Sequence, residues 1–118
     1  MSIVTTQRLA EIPLFSHMDD DERSELRSLM TERIFQPGQV VMQAGEEGSS
    51  FQIIERGEIE VWLVDTDGKK VVLDVLGPGK FFGELSMLSG DTRSANVTSE
   101  EEVATLELDR NEFFDFLR

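Results

Sequence analysis

The sequence predicts a mainly β domain, a sandwich or barrel with short helices at its two ends. Three observations carry that expectation. From Pro37 onward, turn chemistry recurs roughly every ten residues, at Pro37-Gly38, Gly45 to Gly48, Gly57, Asp67-Gly68, Gly77-Pro78-Gly79 and Gly90. Between the turns lie short strand-like runs, and in one of them Ile59, Val61 and Leu63 alternate with Glu58 and Glu60, as on a half-buried strand. Apart from a short stretch at Glu84 to Leu88, helical spacing of apolar residues lies before Ile34 and after Asp109.

Taken in order, Gln7 to Ile12 can form only a short helix, because Pro13 breaks it, and Leu14, Phe15 and Met18 then anchor a compact turn. Asp19 and Glu22 have the spacing of a capping box, and Asp19 to Glu22 places acids at a helix start. Leu26, Leu29 and Met30 follow on one face, so a helix is expected to about Thr31. The acidic cluster is a cap, not a calcium loop: the internal glycine and closing glutamate of an EF-hand are missing. His17, just before it, reads as a plain loop residue.

The expected strands are Val40–Met42, Phe51–Ile54, Ile59–Val64, Val71–Leu76, Ala95–Thr98 and Val103–Leu108, with Asp65 to Lys69 as a hairpin turn. Trp62 falls on the glutamate face of its strand, and is expected to be partly exposed and packed against helices. After Leu108, Asp109 can cap a closing helix on which Phe113, Phe114 and Leu117 lie near one face.

Composition narrows the function. The chain has 118 residues, enough for one domain with a real core, and its 39% hydrophobic and 30% charged residues are ordinary for a globular chain. It has no cysteine and one histidine, which removes disulfides, thiol catalysis, thiolate metal sites and histidine-clustered metal or haem sites. No nucleophile–base pair or carboxylate dyad stands out, so no enzyme is expected. No apolar run approaches the roughly 20 residues of a membrane span, and no signal-peptide pattern opens the chain. A net charge of −13 argues against nucleic acid or an anionic membrane as partner. An anion could bind only where arginine and backbone amides make the potential locally positive.

One stretch has that chemistry. In Phe81 to Val97, Gly83 allows a close backbone approach, and Glu84 to Leu88 can make about one and a half helical turns whose N-terminal amides suit an anion. Ser89 to Thr92 turns the chain back toward that end and delivers Arg93, a planar fork of donors suited to phosphate, with small Ser94 and Ala95 beside it. Glu84 accepts hydrogen bonds when ionised and suits a neutral hydroxyl pair such as a ribose edge. A Glu and an Arg in one loop are more often a solvated ion pair than a site, so the pair has weight only within the whole pattern. Leu85, Met87 and Leu88 read as core anchors of the short helix.

Phe82-Gly83-Glu84-Leu85-Ser86-Met87-Leu88 followed by Arg93-Ser94-Ala95-Asn96-Val97 resembles the phosphate-binding cassette of cyclic nucleotide-binding domains. Gln36-Pro37-Gly38, Val41, Gly45-Glu46, Gly48, Phe51 and Ile53, then Arg56 to Val61 and Leu76 to Glu84, are similar to the family's framework, so the resemblance covers about residues 8 to 118. It implies an eight-stranded β-roll flanked by helices, with the cassette (82–97) between strands six and seven, in a single domain. The segments it implies are 1–31 for the N-terminal helices, 32–109 for the roll, and 110–118 for the start of a C-terminal helix cut short. It implies that Glu84 takes the ribose 2′-hydroxyl and Arg93 the cyclic phosphate, with Gly83, Leu85, Ser86, Ser94 and Ala95 lining the site. Val61, Leu73 and Leu76 would meet base and sugar.

The activity implied is that of a sensor: a cyclic nucleotide, cAMP or cGMP, is the ligand, no further cofactor is needed, and binding moves the C-terminal helix and an output domain. Members selective for cGMP often carry Thr after the cassette Arg, while serine also occurs in cAMP-binding bacterial regulators, so Ser94 favours cAMP. Thr92 and Ser86 depart mildly from the common proline and small residue. The family's helix continues into a lid over the base, and the sequence closes at Arg118, which leaves base recognition open. Phe113, Phe114 and Leu117 could pair two copies as a homodimer. A cytoplasmic location, or the cytoplasmic side of a membrane protein, is implied. The rival expectation is a ligand-free roll used for docking proteins, against which the joint presence of Glu84 and Arg93 argues.

Overall fold

The structure, a computed structural model, describes residues 6–117. Its strands are β1 (Thr31–Phe35), β2 (Val40–Met42), β3 (Ser50–Arg56), β4 (Ile59–Val64), β5 (Lys70–Leu76), β6 (Phe81–Phe82), β7 (Asn96–Ser99) and β8 (Val103–Asp109). Helices are α1 (Thr6–Leu9), a 3₁₀ turn at Pro13–Phe15, α2 (Asp20–Leu29), α3 (Glu84–Ser89) and α4 (Arg110–Leu117). The strands form two antiparallel four-stranded sheets, ordered β1-β8-β3-β6 and β2-β7-β4-β5. This is the expected β-roll, with α3 between the sixth and seventh strands.

Local chemistry explains several element ends. The capping box forms as read: Glu22 N–H donates to Asp19 Oδ1 at 2.8 Å, and Asp19 N–H to Glu22 Oε1 at 2.9 Å. Asp65 Oδ1 accepts from the backbone N–H of Asp67 and Lys69 and closes the β4–β5 hairpin. Asp109 Oδ2 accepts from the N–H of Asn111 and Glu112 at the start of α4.

Two elements differ from expectation. α2 stops at Leu29 instead of Thr31, because Met30 is already extended and Thr31 to Phe35 pair with Val103 to Glu107 of β8. Phe81-Phe82, expected only as the entry to the cassette, is a two-residue strand on Gln52 and Ile53. Trp62 is half-buried, and its polar partners lie on neighbouring strands: its Nε1–H donates to Thr98 Oγ1 at 2.8 Å, and Lys70 Nζ lies 4.9 Å from its ring centre.

Two cores follow from strand alternation. On β3 and β8, Phe51, Ile53, Leu106 and Leu108 face the helices and pack with Leu9, Ile12, Phe15, Leu26, Met87 and Phe113. Phe15 sits edge-on to Phe51, with ring centres 5.6 Å apart, and to Phe113 at 6.1 Å. The opposite faces of the two sheets meet inside the roll, where Phe35, Ile54, Ile59, Phe82, Val97 and Val103 form the second core. On α4 the buried face is Phe113 with Phe116 packed beside it; Phe114 is half-buried and Leu117 exposed, so the expected trio does not share one face. Phe113 and Phe116 lie three apart and close on the core together.

Candidate functional site

A cleft of about 640 Å³ opens beside α3 and is lined by β4, β5, β6 and residues 83–94. Of the residues expected to form a site, Val61, Leu76, Gly83, Glu84, Leu85, Ser86, Arg93 and Ser94 line it. Ala95 lies beneath, almost fully buried. Leu73 does not line it. The register of β4 on β5 shifts between Val61 and Trp62, which pairs Val61 with Asp74 and leaves Leu73 as a bulged, exposed residue. Asp74 takes a place in the wall instead, with Met42, Phe81 and Phe82. Met42 and Asp74 carry no cassette signal, but the pairing of β4 with β5 places Asp74 opposite Val61, a residue already expected there.

The local path is set by Gly83, the residue before α3, at φ +90°. A Cβ there would lie 2.9 Å from Arg93 Nη1 and 3.0 Å from the Ser50 carbonyl oxygen, so the position has neither the conformation nor the space for a side chain. The helix bonding of α3 begins with Met87 N–H on Gly83 O, which turns the amides of its first turn toward the cleft end. Of the three residues expected as anchors, only Met87 is buried. Leu85 is 77% exposed and Leu88 faces outward, because a helix this short lying on the roll can bury only one face.

Arg93 is held from three directions and is only 7% exposed. Its Nη1 donates to Gly83 O at 3.0 Å and to Ser86 Oγ, and its Nη2 to Ser50 O at 2.8 Å. Burial pushes the guanidinium pKa down, opposed by the negative charges of Glu46 and Glu107; it stays protonated in any case. The backbone is fixed as firmly: Arg93 N–H donates to Glu46 O at 2.6 Å, Gly45 N–H to Arg93 O at 2.9 Å and Gly48 N–H to Asp91 O at 3.1 Å. The β2–β3 loop therefore clamps the return limb of the cassette. At Gly48 the approach is so close that a Cβ would sit 2.5 Å from Ser86 Cβ. A second tie runs to the C-terminal helix, where Arg110 Nε–H donates to Met87 O at 2.7 Å.

Residues 32–118 match the family model described as the cyclic nucleotide-binding domain. The chain belongs to that family. It is 32% identical over 105 residues to the cAMP-dependent protein kinase regulatory subunit of Yarrowia lipolytica, covering 89% of this chain and 27% of that protein. The regulatory domain of Toxoplasma gondii protein kinase A, solved with cAMP, superposes with a TM-score of 0.86 at 29% identity over 94% of this chain and 42% of that one. The regulatory subunit of a cAMP-independent protein kinase A from Trypanosoma cruzi, bound to guanosine, superposes with a TM-score of 0.80 at 31% identity over 95% and 40%. The chain thus spans about a quarter of the curated relative's length. The family is one of regulatory domains, and no helix among the described residues is long and apolar enough to cross a membrane.

Proposed function

We propose that this chain is a cAMP sensor in which Arg93 takes the cyclic phosphate and Glu84 the ribose 2′-hydroxyl. The observation that carries the reading is that both side chains line one cleft, with the Gly83 backbone between them and the guanidinium already oriented by its neighbours. A phosphate entering the cleft draws Nη1 from Gly83 O and Ser86 Oγ, while Nη2 keeps its hold on Ser50. Glu84 repels phosphate and accepts from sugar hydroxyls, which sets the direction in which the ligand lies. Val61 and Leu76 meet the sugar and base. Ser94, a hydroxyl without the methyl of threonine, favours cAMP over cGMP.

The output runs through α4. Met87 of α3 and Phe113 of α4 share the helix-side core, and Arg110 bonds α4 to Met87 O, so an inward movement of α3 pulls on α4. A continuation of α4 would cover the base, pass the movement to an output domain, and could pair two copies. The domain has no catalysis of its own in this reading.

Isothermal titration of the chain with cAMP, cGMP and guanosine tests it. The expected order is cAMP, then cGMP, then guanosine, because only the first two offer Arg93 a phosphate. Guanosine binding as tightly as cAMP would overturn the phosphate assignment. Tighter binding of cGMP than cAMP would overturn the base preference alone.

A further inference from the structure

Arg93 has a second side. Behind it lies a separate polar cavity of about 130 Å³, whose walls include Arg33, Glu46, Ser50, Gln52, Glu107 and Arg93 itself. A hydrogen-bonded chain crosses it. Arg33 Nη1 donates to both oxygens of Glu107, at 3.1 and 3.2 Å. Ser50 Oγ–H donates to Glu107 Oε2 at 3.2 Å, and Arg93 Nη2 donates to Ser50 Oγ at 3.4 Å. A hydroxyl has one proton. With that proton committed to Glu107, the lone pairs of Ser50 Oγ are left facing the guanidinium.

The arrangement answers an electrostatic conflict. A cation this deeply buried is costly without a counter-charge. A carboxylate bonded directly to Arg93 would supply one, but it would also compete with an anionic ligand for the same donors. Glu107 lies one hydroxyl away, on the face opposite the cleft, and its charge is shared with Arg33. Glu46, in the same cavity wall, and Glu107 both offset the buried charge. Glu107 is the one joined to the guanidinium through the Ser50 hydroxyl, and so orients it without blocking its ligand side.

We propose that Glu107, acting through Ser50, is a positioning residue that aims Arg93 into the nucleotide cleft. The inference rests on the cyclic-nucleotide reading of that cleft and names a part of its machinery that lies outside the cassette.

The sign of one substitution separates this role from a passive one. Neutralising a bystander carboxylate would tighten the binding of an anion; disorganising Arg93 weakens it. Titration of Glu107→Gln and Ser50→Ala with cAMP should each show about a three- to tenfold loss of affinity, the range of one intramolecular hydrogen bond. In an Arg93→Ala background neither change should alter affinity by more than about twofold, because nothing remains to be aimed. In the ligand-free chain, ¹⁵N NMR should show hindered rotation of the Arg93 guanidinium, relaxed in both variants whatever the ligand proves to be. Unchanged or tighter binding in Glu107→Gln, or the same loss in both backgrounds, overturns the proposal. Failure of the unsubstituted chain to bind cAMP, with the NMR signature intact, would overturn the reading of the cleft and leave the positioning of Arg93 standing.

Discussion

The interior of the roll has two unlike ends built on the same strands. At one end Phe35, Ile54, Ile59, Val97 and Val103 close on each other as an ordinary apolar core. Toward the other, the same inward faces of β3 and β8 carry Gln52, Thr105, Ser50 and Glu107, and this is where Arg93 enters. Thr105 Oγ1–H donates to Gln52 Oε1 at 2.7 Å, so the change from apolar to polar is made by paired groups and not by orphans. The contrast separates two tasks within one barrel. The apolar end holds the sheets together without direction. The polar end holds one cation in one orientation, which only directional bonds can do.

That division can be broken from either end. The largest effect is expected at the apolar end. Ile54→Ala, at a fully buried position, should lower unfolding free energy by about 2–5 kcal/mol in urea denaturation, while folded protein keeps its cAMP affinity within about twofold. A large affinity loss in the folded fraction would mean that the two ends are not independent. Next, Arg93→Ala should cost about 1.5–3 kcal/mol of binding, roughly ten- to a hundredfold in affinity, since it removes charge-assisted bonds to the ligand. Arg93→Lys should recover little of this, because an ammonium cannot span Gly83 O and Ser50 O as the planar fork does. Wild-type affinity in either variant would remove Arg93 from the phosphate. The smallest effect belongs to Ser94→Ala, at the exposed rim. Affinity for cAMP should stay within about threefold, the low end for one neutral hydrogen bond, because the residue is exposed to water. A fall confined to cGMP would locate the hydroxyl on the guanine.

The same contrast explains what could be read from the chain alone. The capping box at Asp19 and the hairpin at Asp65 are local signals with direct counterparts in the structure. The run Ile59 to Leu63 is a strand as read, but its alternation is blurred, with Ile59 buried, its neighbours partly buried and the register shifting after Val61. The short helix α3 and the turn that returns the chain to Arg93 were legible because their residues are contiguous and their glycines have few other uses. The polar end was not. Ser50 and Gln52 alternate with Phe51 and Ile53, a pattern that on a two-sided strand reads as a solvent face. Only the packing of a second sheet over that face makes it an interior. Leu73 was misplaced for a related reason: a bulge shifts register by one residue, and nothing in a run such as Lys70-Val71-Val72-Leu73-Asp74-Val75-Leu76 announces it. Thr31 to Phe35 likewise joined a sheet because β8 offers it partners far along the chain.

Gly48 carries one more consequence. It is buried against Ser86, with the missing side chain as the only clearance between the β2–β3 loop and α3. A methyl group there is a wedge: Gly48→Ala can be accommodated only by lifting the helix or moving the loop. The position is thus a tuning screw for how α3 rests on the roll: it presses on Ser86, a residue of the cleft wall, and leaves Glu84 and Arg93 unsubstituted. Faster amide hydrogen exchange across residues 84–89 in Gly48→Ala, before any nucleotide is added, would show the screw turned; exchange unchanged there would mean that the loop yields first.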